Sequence, residues 1–187
     1  CHSMSPDARA IQELSPPPHY LALDPREVAR LAHCGPGRRW ENEIMAGIAE
    51  GRALFAPRAR WSALDPASMA CLFTGETPVE AIAARGECWA FIATIGEPIE
   101  SRVKEHFDQG RYLQAVILDA AGSVAVEAVC DLVERDCAGE GPSARFSPGY
   151  CMWRLENQTA LFALLDPERI GIRLMPSMIM QLIKSVS

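Results

Sequence analysis

The stretch from residue 111 to residue 137 constrains this chain most. Nearly every residue in it suits a helix, and most are apolar. Its polar residues Asp119, Ser123, Glu127 and Asp131 recur every four positions. At 3.6 residues per turn a four-residue step drifts by only about 40°. The four side chains therefore form one narrow ridge, and Ala, Val, Leu and Ile fill the rest of the circumference. A helix of that kind is mostly buried, with one polar stripe. Gly139, Gly141 and Pro142 end it.

The rest of the chain supplies elements to cover it. At 187 residues it is one domain, or one domain with a tail. Hydrophobic residues make up 49% and charged residues 22%, so a core forms without metals or disulfides. Residues 1–20 are expected as an extended lead-in, because Pro16, Pro17 and Pro18 neither start a helix nor fit a central strand. Residues 21–187 are expected as a single domain. Asp24-Pro25 reads as an N-cap with proline at the first helical position, opening a helix to about His33. A second helix is expected over residues 38–49, with Trp40, Ile44 and Ile48 on one face. Prolines interrupt residues 52–77, which are expected to be irregular with a short strand at 69–73.

Residues 87–95 form a continuous apolar run between Gly86 and Gly96, the signature of a buried central strand. A helix over 98–109 follows, with acidic residues at its start as the helix dipole favours. Another helix is expected at 156–165, closed by Asp166-Pro167. Residues 171–175 and 178–186 read as a hairpin about Pro176-Ser177. Helices and strands come in blocks rather than strict alternation, which points to an α+β fold.

Charge and motifs exclude several function classes. Eighteen basic residues against 24 acidic ones give a net charge of −6, the wrong sign for nucleic acid or an anionic membrane surface. No apolar run approaches the ~20 residues of a membrane helix, and residues 1–18 have no signal-peptide core. The seven cysteines show no framework spacing and no C-x-x-C, so free thiols in a reducing, cytoplasmic compartment are expected. His33 with Cys34, and Cys130 with Cys137, lack structural-zinc spacing, so no metal is expected. There is no Walker A sequence. Gly35-Pro-Gly37 gives only part of a dinucleotide fingerprint and lacks a preceding strand. Gly141-Pro-Ser143-Ala-Arg145 lacks the last glycine of a nucleophile elbow. Four scattered histidines suggest no triad.

Two features remain. Glu127 lies mid-helix among apolar residues. It is either part of a solvated stripe with Asp119 and Asp131 or a carboxylate that holds a ligand cation. Arg145-Phe-Ser-Pro-Gly-Tyr150 is either an ordinary turn with a surface arginine or a ligand loop. In the second case Arg145 forks onto a carboxylate, Gly149 admits a close backbone approach, Pro148 stiffens it and Tyr150 offers a flat face with a polar tip.

These residues resemble a known family. The 145–150 loop, the helix carrying Asp119 to Asp131 before it, and Leu164-Leu-Asp-Pro-Glu-Arg-Ile-Gly171 and Met180-x-x-x-Lys184-Ser-Val-Ser187 after it are similar to the activation (reactivation) domain of cobalamin-dependent methionine synthase. The free-standing, single-domain members are the nearer likeness. Phe91-Ile-Ala-Thr-Ile-Gly96 fits their central strand. Residues 80–187 carry most of the resemblance. Leu182 departs from it, standing where the family usually has proline.

The resemblance implies a central, mainly antiparallel twisted sheet with flanking helices. It implies that Arg145, Ser147, Gly149 and Tyr150, with Glu127 from the long helix, bind S-adenosyl-L-methionine. Tyr150 would stand at the reacting centre, close to a corrin. The implied activity is the reductive remethylation of cob(II)alamin, with an electron from a flavodoxin-like reductant. The chain has no D-x-H-x-x-G cobalamin motif, so the cobalamin is expected on a separate methionine synthase or related corrinoid protein. The chain alone would then be an accessory component, not a complete methyltransferase. The alternative is a corrinoid-protein docking module without methyl-donor activity.

Overall fold

The computed structural model describes residues 10–35, 38–65, 69, 88–138, 144–150, 153–182 and 184–186. Five helices lie among them: α1 (Pro25–Leu31), α2 (Glu41–Leu54), α3 (Pro98–Asp108), α4 (Tyr112–Ala138) and α5 (Gln158–Leu165). The strands are β1 (Gln12–Leu14), β2 (Arg58–Leu64), β3 (Cys88–Thr94), β4 (Arg173–Leu174), β5 (Met180–Gln181) and β6 (Ser185–Val186). β1, β2, β3 and β6 lie in that order in an antiparallel sheet, while β4 and β5 form a separate antiparallel ribbon. The expected α+β architecture with an antiparallel sheet is what the chain adopts.

α4 organises the packing. One of its faces, including Leu118, Ala125 and Val129, packs on Ala59, Ala93 and Ile95 of the sheet region. Another, with Ile117, Ala121 and Val124, packs on Val28 of α1 and on Ile44 and Ile48 of α2. The opposite face of the sheet, with Leu64, Ala90 and Ile92, is covered by Leu161 and Leu165 of α5 and by Ile170 and Ile172. The expected ridge lies on the part of α4 left uncovered: Asp119, Glu127 and Asp131 are exposed and Ser123 is half-buried.

Local chemistry sets the ends of these elements. Asp24 caps α1, its side chain accepting from the Arg26 N–H at 2.9 Å, with Pro25 at the first position. α2 runs five residues past the expected end at 49. Arg52, Ala53 and Leu54 are good helix formers. The helix stops before Pro57, whose ring disfavours helical backbone in the residue ahead of it.

β2 corrects the reading of residues 52–77 as irregular. It pairs with β3 along its whole length, from Arg58 opposite Thr94 to Leu64 opposite Cys88. Its alternation was masked because both faces are covered. Ala59 faces the α4 side, whereas Arg60 and Ser62 are buried polar residues on the other. Arg60 is 4% exposed and donates to Glu13 of β1 at 2.7 Å. That pair also explains why part of the expected lead-in is an edge strand, since Glu13 lies directly opposite Arg60. The expected strand at 69–73 falls outside the described residues apart from Met69.

The C-terminal hairpin forms, but only as far as Gln181. Leu182 has φ +78°, which turns the backbone out of the ribbon. Proline, fixed near −65°, has no access to that conformation. The chain then re-enters as β6 beside Ala93 and Thr94.

Candidate functional site

The ridge of α4 carries two bound cations, each from a motif distant in sequence. Near its middle, Lys184 Nζ lies 2.9 Å from Asp119 Oδ1 and donates to Ser123 Oγ at 2.9 Å. One to three turns further on, Arg145 takes three carboxylates. Its Nη1 donates to Glu127 Oε2 at 3.1 Å, its Nε to Glu134 Oε2 at 3.0 Å, and its Nη2 to Glu134 Oε2 at 2.7 Å and to Asp131 Oδ1. Helical spacing gathers these acids, because Glu127, Asp131 and Glu134 fall at i, i+4 and i+7 on one face.

The structure thus brings Glu127 and Arg145 together, and it also fills Arg145 from within the protein. The Arg145 side chain is 30% exposed, against 61% for those of Glu127 and Asp131. Partial burial acts to lower the Arg145 pKa. The hydrogen bonds to Asp131 and Glu134 outweigh it and hold the group above the ordinary arginine range. Three carboxylates against one guanidinium leave the site short of positive charge. Such a site attracts a cation readily, while a ligand carboxylate must displace one of the protein's own.

Sequence reasoning placed Asp131 only in the stripe and missed Glu134. The available signal was Glu134 at i+3 from Asp131 and i+7 from Glu127, continuing the acidic face toward the end of the helix that precedes the loop arginine.

The 145–150 loop is a built turn. The Tyr150 N–H donates to the Ser147 carbonyl at 3.1 Å, with Pro148 and Gly149 as central residues. Gly149 has φ +93°, as the third position of a type II turn requires. A Cβ there would lie 3.2 Å from Leu155 Cδ1, so the position is also crowded. The Gly149 N–H donates to the Trp153 carbonyl at 2.7 Å, and the Trp153 N–H returns to the Tyr150 carbonyl at 2.9 Å. Phe146 packs on the core cluster beneath α5, and Ser147 is half-buried. Tyr150 is 73% exposed, a large aromatic face left to solvent beside a rigid turn.

Burial pushes the Cys130 thiol up to about 12, and the Glu127 and Asp131 carboxylates beside it add to the shift, partly offset by Arg145. Burial, with Asp136 and Glu134, likewise pushes Cys137 up to about 12. Cys34, Cys130 and Cys137 are free thiols. Among the described residues no group of three His, Cys, Asp or Glu side chains is placed to hold a metal ion. No helix among them is long and apolar enough to cross a membrane.

An antiparallel sheet covered on both faces, with a long buried helix whose one polar ridge meets an R-x-x-x-G-Y turn, makes this an α+β domain. The crystal structure of the MetH reactivation domain bound to AdoHcy superposes on this chain with a TM-score of 0.69, covering 98% of this chain and 79% of that one. Identity is 12%, so the likeness establishes the fold. The chain matches no protein-family model and no curated protein sequence.

Proposed function

We propose that this chain is an S-adenosyl-L-methionine-binding reactivation module for a separate cobalamin-dependent methionine synthase or a related corrinoid protein. One observation carries the reading: Arg145 and Glu127 converge on one face of α4, in a fold whose solved counterpart holds AdoHcy. The ligand's amino-acid end has a carboxylate for Arg145 and an ammonium for Glu127. Its sulfonium is already an activated methyl donor, so the protein supplies neither acid nor base.

The chain's own residues then bind and orient. Arg145 exchanges Asp131 for the ligand carboxylate. Glu127 and the excess negative charge of the ridge hold the ammonium and favour the sulfonium. Ser147 and Gly149 offer backbone at close approach. Tyr150, exposed on its rigid turn, faces the cobalamin that the partner carries. Bringing two reactants together in line is a proximity effect, worth several kcal/mol where the geometry is right. A flavodoxin-like reductant supplies the electron, and the reaction belongs to the cytoplasm.

The second reading is a docking module without methyl-donor activity. The saturation of Arg145 by Glu127, Asp131 and Glu134 favours it, because the guanidinium already has its partners. Reconstitution separates the two. The chain is added to a cob(II)alamin-loaded methionine synthase lacking its reactivation domain, with a reductant and S-adenosyl-methionine labelled in the methyl group. Label on the cobalamin that depends on the chain supports the first reading. A complex without label transfer leaves the second.

A further inference from the structure

We infer that a pocket away from the Arg145 cluster binds a small organic anion through Arg58 and Arg173. The pocket has a volume of about 530 Å³ and shares no lining residue with that cluster. This is within the size range of small-molecule sites, ~300–1,000 Å³. Its walls come from separate parts of the fold: the start of β2, the Gly96-Glu97-Pro98 corner that opens α3, and the β4–β5 ribbon with the turn before it.

Two guanidiniums line it. Arg58 belongs to β2 and Arg173 to β4, and both are exposed. Neither has a side-chain hydrogen bond or ion pair among the described residues. Arg145 and Arg60 contrast with them, each bonded to carboxylates. Of the pocket's acids, Glu97 is turned back onto its own helix, accepting from Ser101 Oγ. Glu168 has no ion pair with either arginine. The positive charge is therefore left to an incoming group, and the planar forks of two arginines suit a carboxylate or phosphate. Pro98, Ile170 and Leu182 add apolar wall, which suits an anion with a compact apolar body.

The pocket also gives a use to two unusual backbone positions. Leu182, at φ +78°, and Gly171, at φ +88°, both line it. The Leu182 Cδ1 lies 3.8 Å from where a Gly171 Cβ would stand. The left-handed turn at Leu182 that ends the ribbon thus also shapes the wall.

Calorimetric titration of the full chain with phenyl phosphate and with phenylsuccinate tests the site, with neutral benzyl alcohol as control. Saturable binding of at least one anion is expected, weakened about tenfold by Arg58→Gln and by Arg173→Gln and unchanged by Arg145→Gln. The preferred probe tells a phosphate from a dicarboxylate ligand. Amide NMR shifts on the unmodified protein give a second readout, expected to centre on Gly96 and Gly171. No saturation by about 10 mM of either anion, affinity kept in the Arg58→Gln/Arg173→Gln double variant, or shifts centred elsewhere would each overturn the proposal.

Discussion

Arg145 Nη1 donates to Glu127 Oε2 at 3.1 Å, joining a turn to a residue eighteen positions earlier on α4. The same guanidinium also serves Asp131 and Glu134. Under the proposed function, ligand capture at this site would be an exchange of carboxylates, with a cost that the flanking acids set.

Removing one competing acid lowers that cost. Asp131→Asn is expected to tighten S-adenosyl-methionine about fivefold, whereas Glu127→Gln weakens it by a similar factor, since each change alters one charge-assisted bond. Affinities of the two variants, measured side by side, check the assignment. Opposite signs support it, and equal weakening contradicts it.

The cluster contributes little to folding. Two of its three carboxylates, Glu127 and Asp131, are well exposed, so Arg145→Ala is expected to cost about 1 kcal/mol in urea unfolding. Part of that is repulsion among acids left behind. Arg145→Ala combined with Asp131→Asn is expected to recover some of it.

Cys130 makes stability fall at high pH. Its thiol titrates at about 12 in the folded protein against 9.0 for an unperturbed thiol. Between those values the unfolded chain has lost the proton that the folded chain keeps, so stability declines as pH rises through this window. Below pH 9 the contribution is flat. Cys130→Ala is expected to flatten the decline between pH 9 and 11 in thermal melts. At pH 8 the native thiol is expected to resist a disulfide reagent that reacts with the unfolded chain.

α2 and α4 meet closely at Gly47. A Cβ there would lie 2.5 Å from Ile117 Cγ2. Gly47→Ala is expected to cost about 1–3 kcal/mol by overpacking, despite the ~1 kcal/mol that alanine gains in a helix. Gly35→Ala, with nothing within 4 Å of the new atom, is expected to stay within about 0.5 kcal/mol. Denaturant midpoints of the two variants decide.

The parts of the fold legible in sequence were those with one dominant signal. α4 showed its four-residue ridge, β3 its unbroken apolar run, and α1 its Asp24-Pro25 start. β2 stayed hidden because Arg60 and Ser62 look exposed yet are buried, Arg60 against a Glu13 that lies 47 positions away. No local pattern encodes that pairing. At the candidate site the sequence brought out Glu127 and Arg145, which the structure joins. It did not reveal that the acids beside Glu127 would already hold the arginine, because occupancy depends on how the turn folds back onto α4. The break at Leu182 was equally hidden, since a positive φ at leucine has no sequence mark.

The central claim is that the Arg145–Glu127 pair opens to hold S-adenosyl-methionine. Titration calorimetry with S-adenosyl-methionine, on the unmodified chain and on Arg145→Ala, tests it most directly. The account predicts saturable binding that falls at least about tenfold in the variant, with AdoHcy weaker because it lacks the sulfonium charge. Absence of binding at millimolar ligand, or the same affinity with and without Arg145, would contradict it.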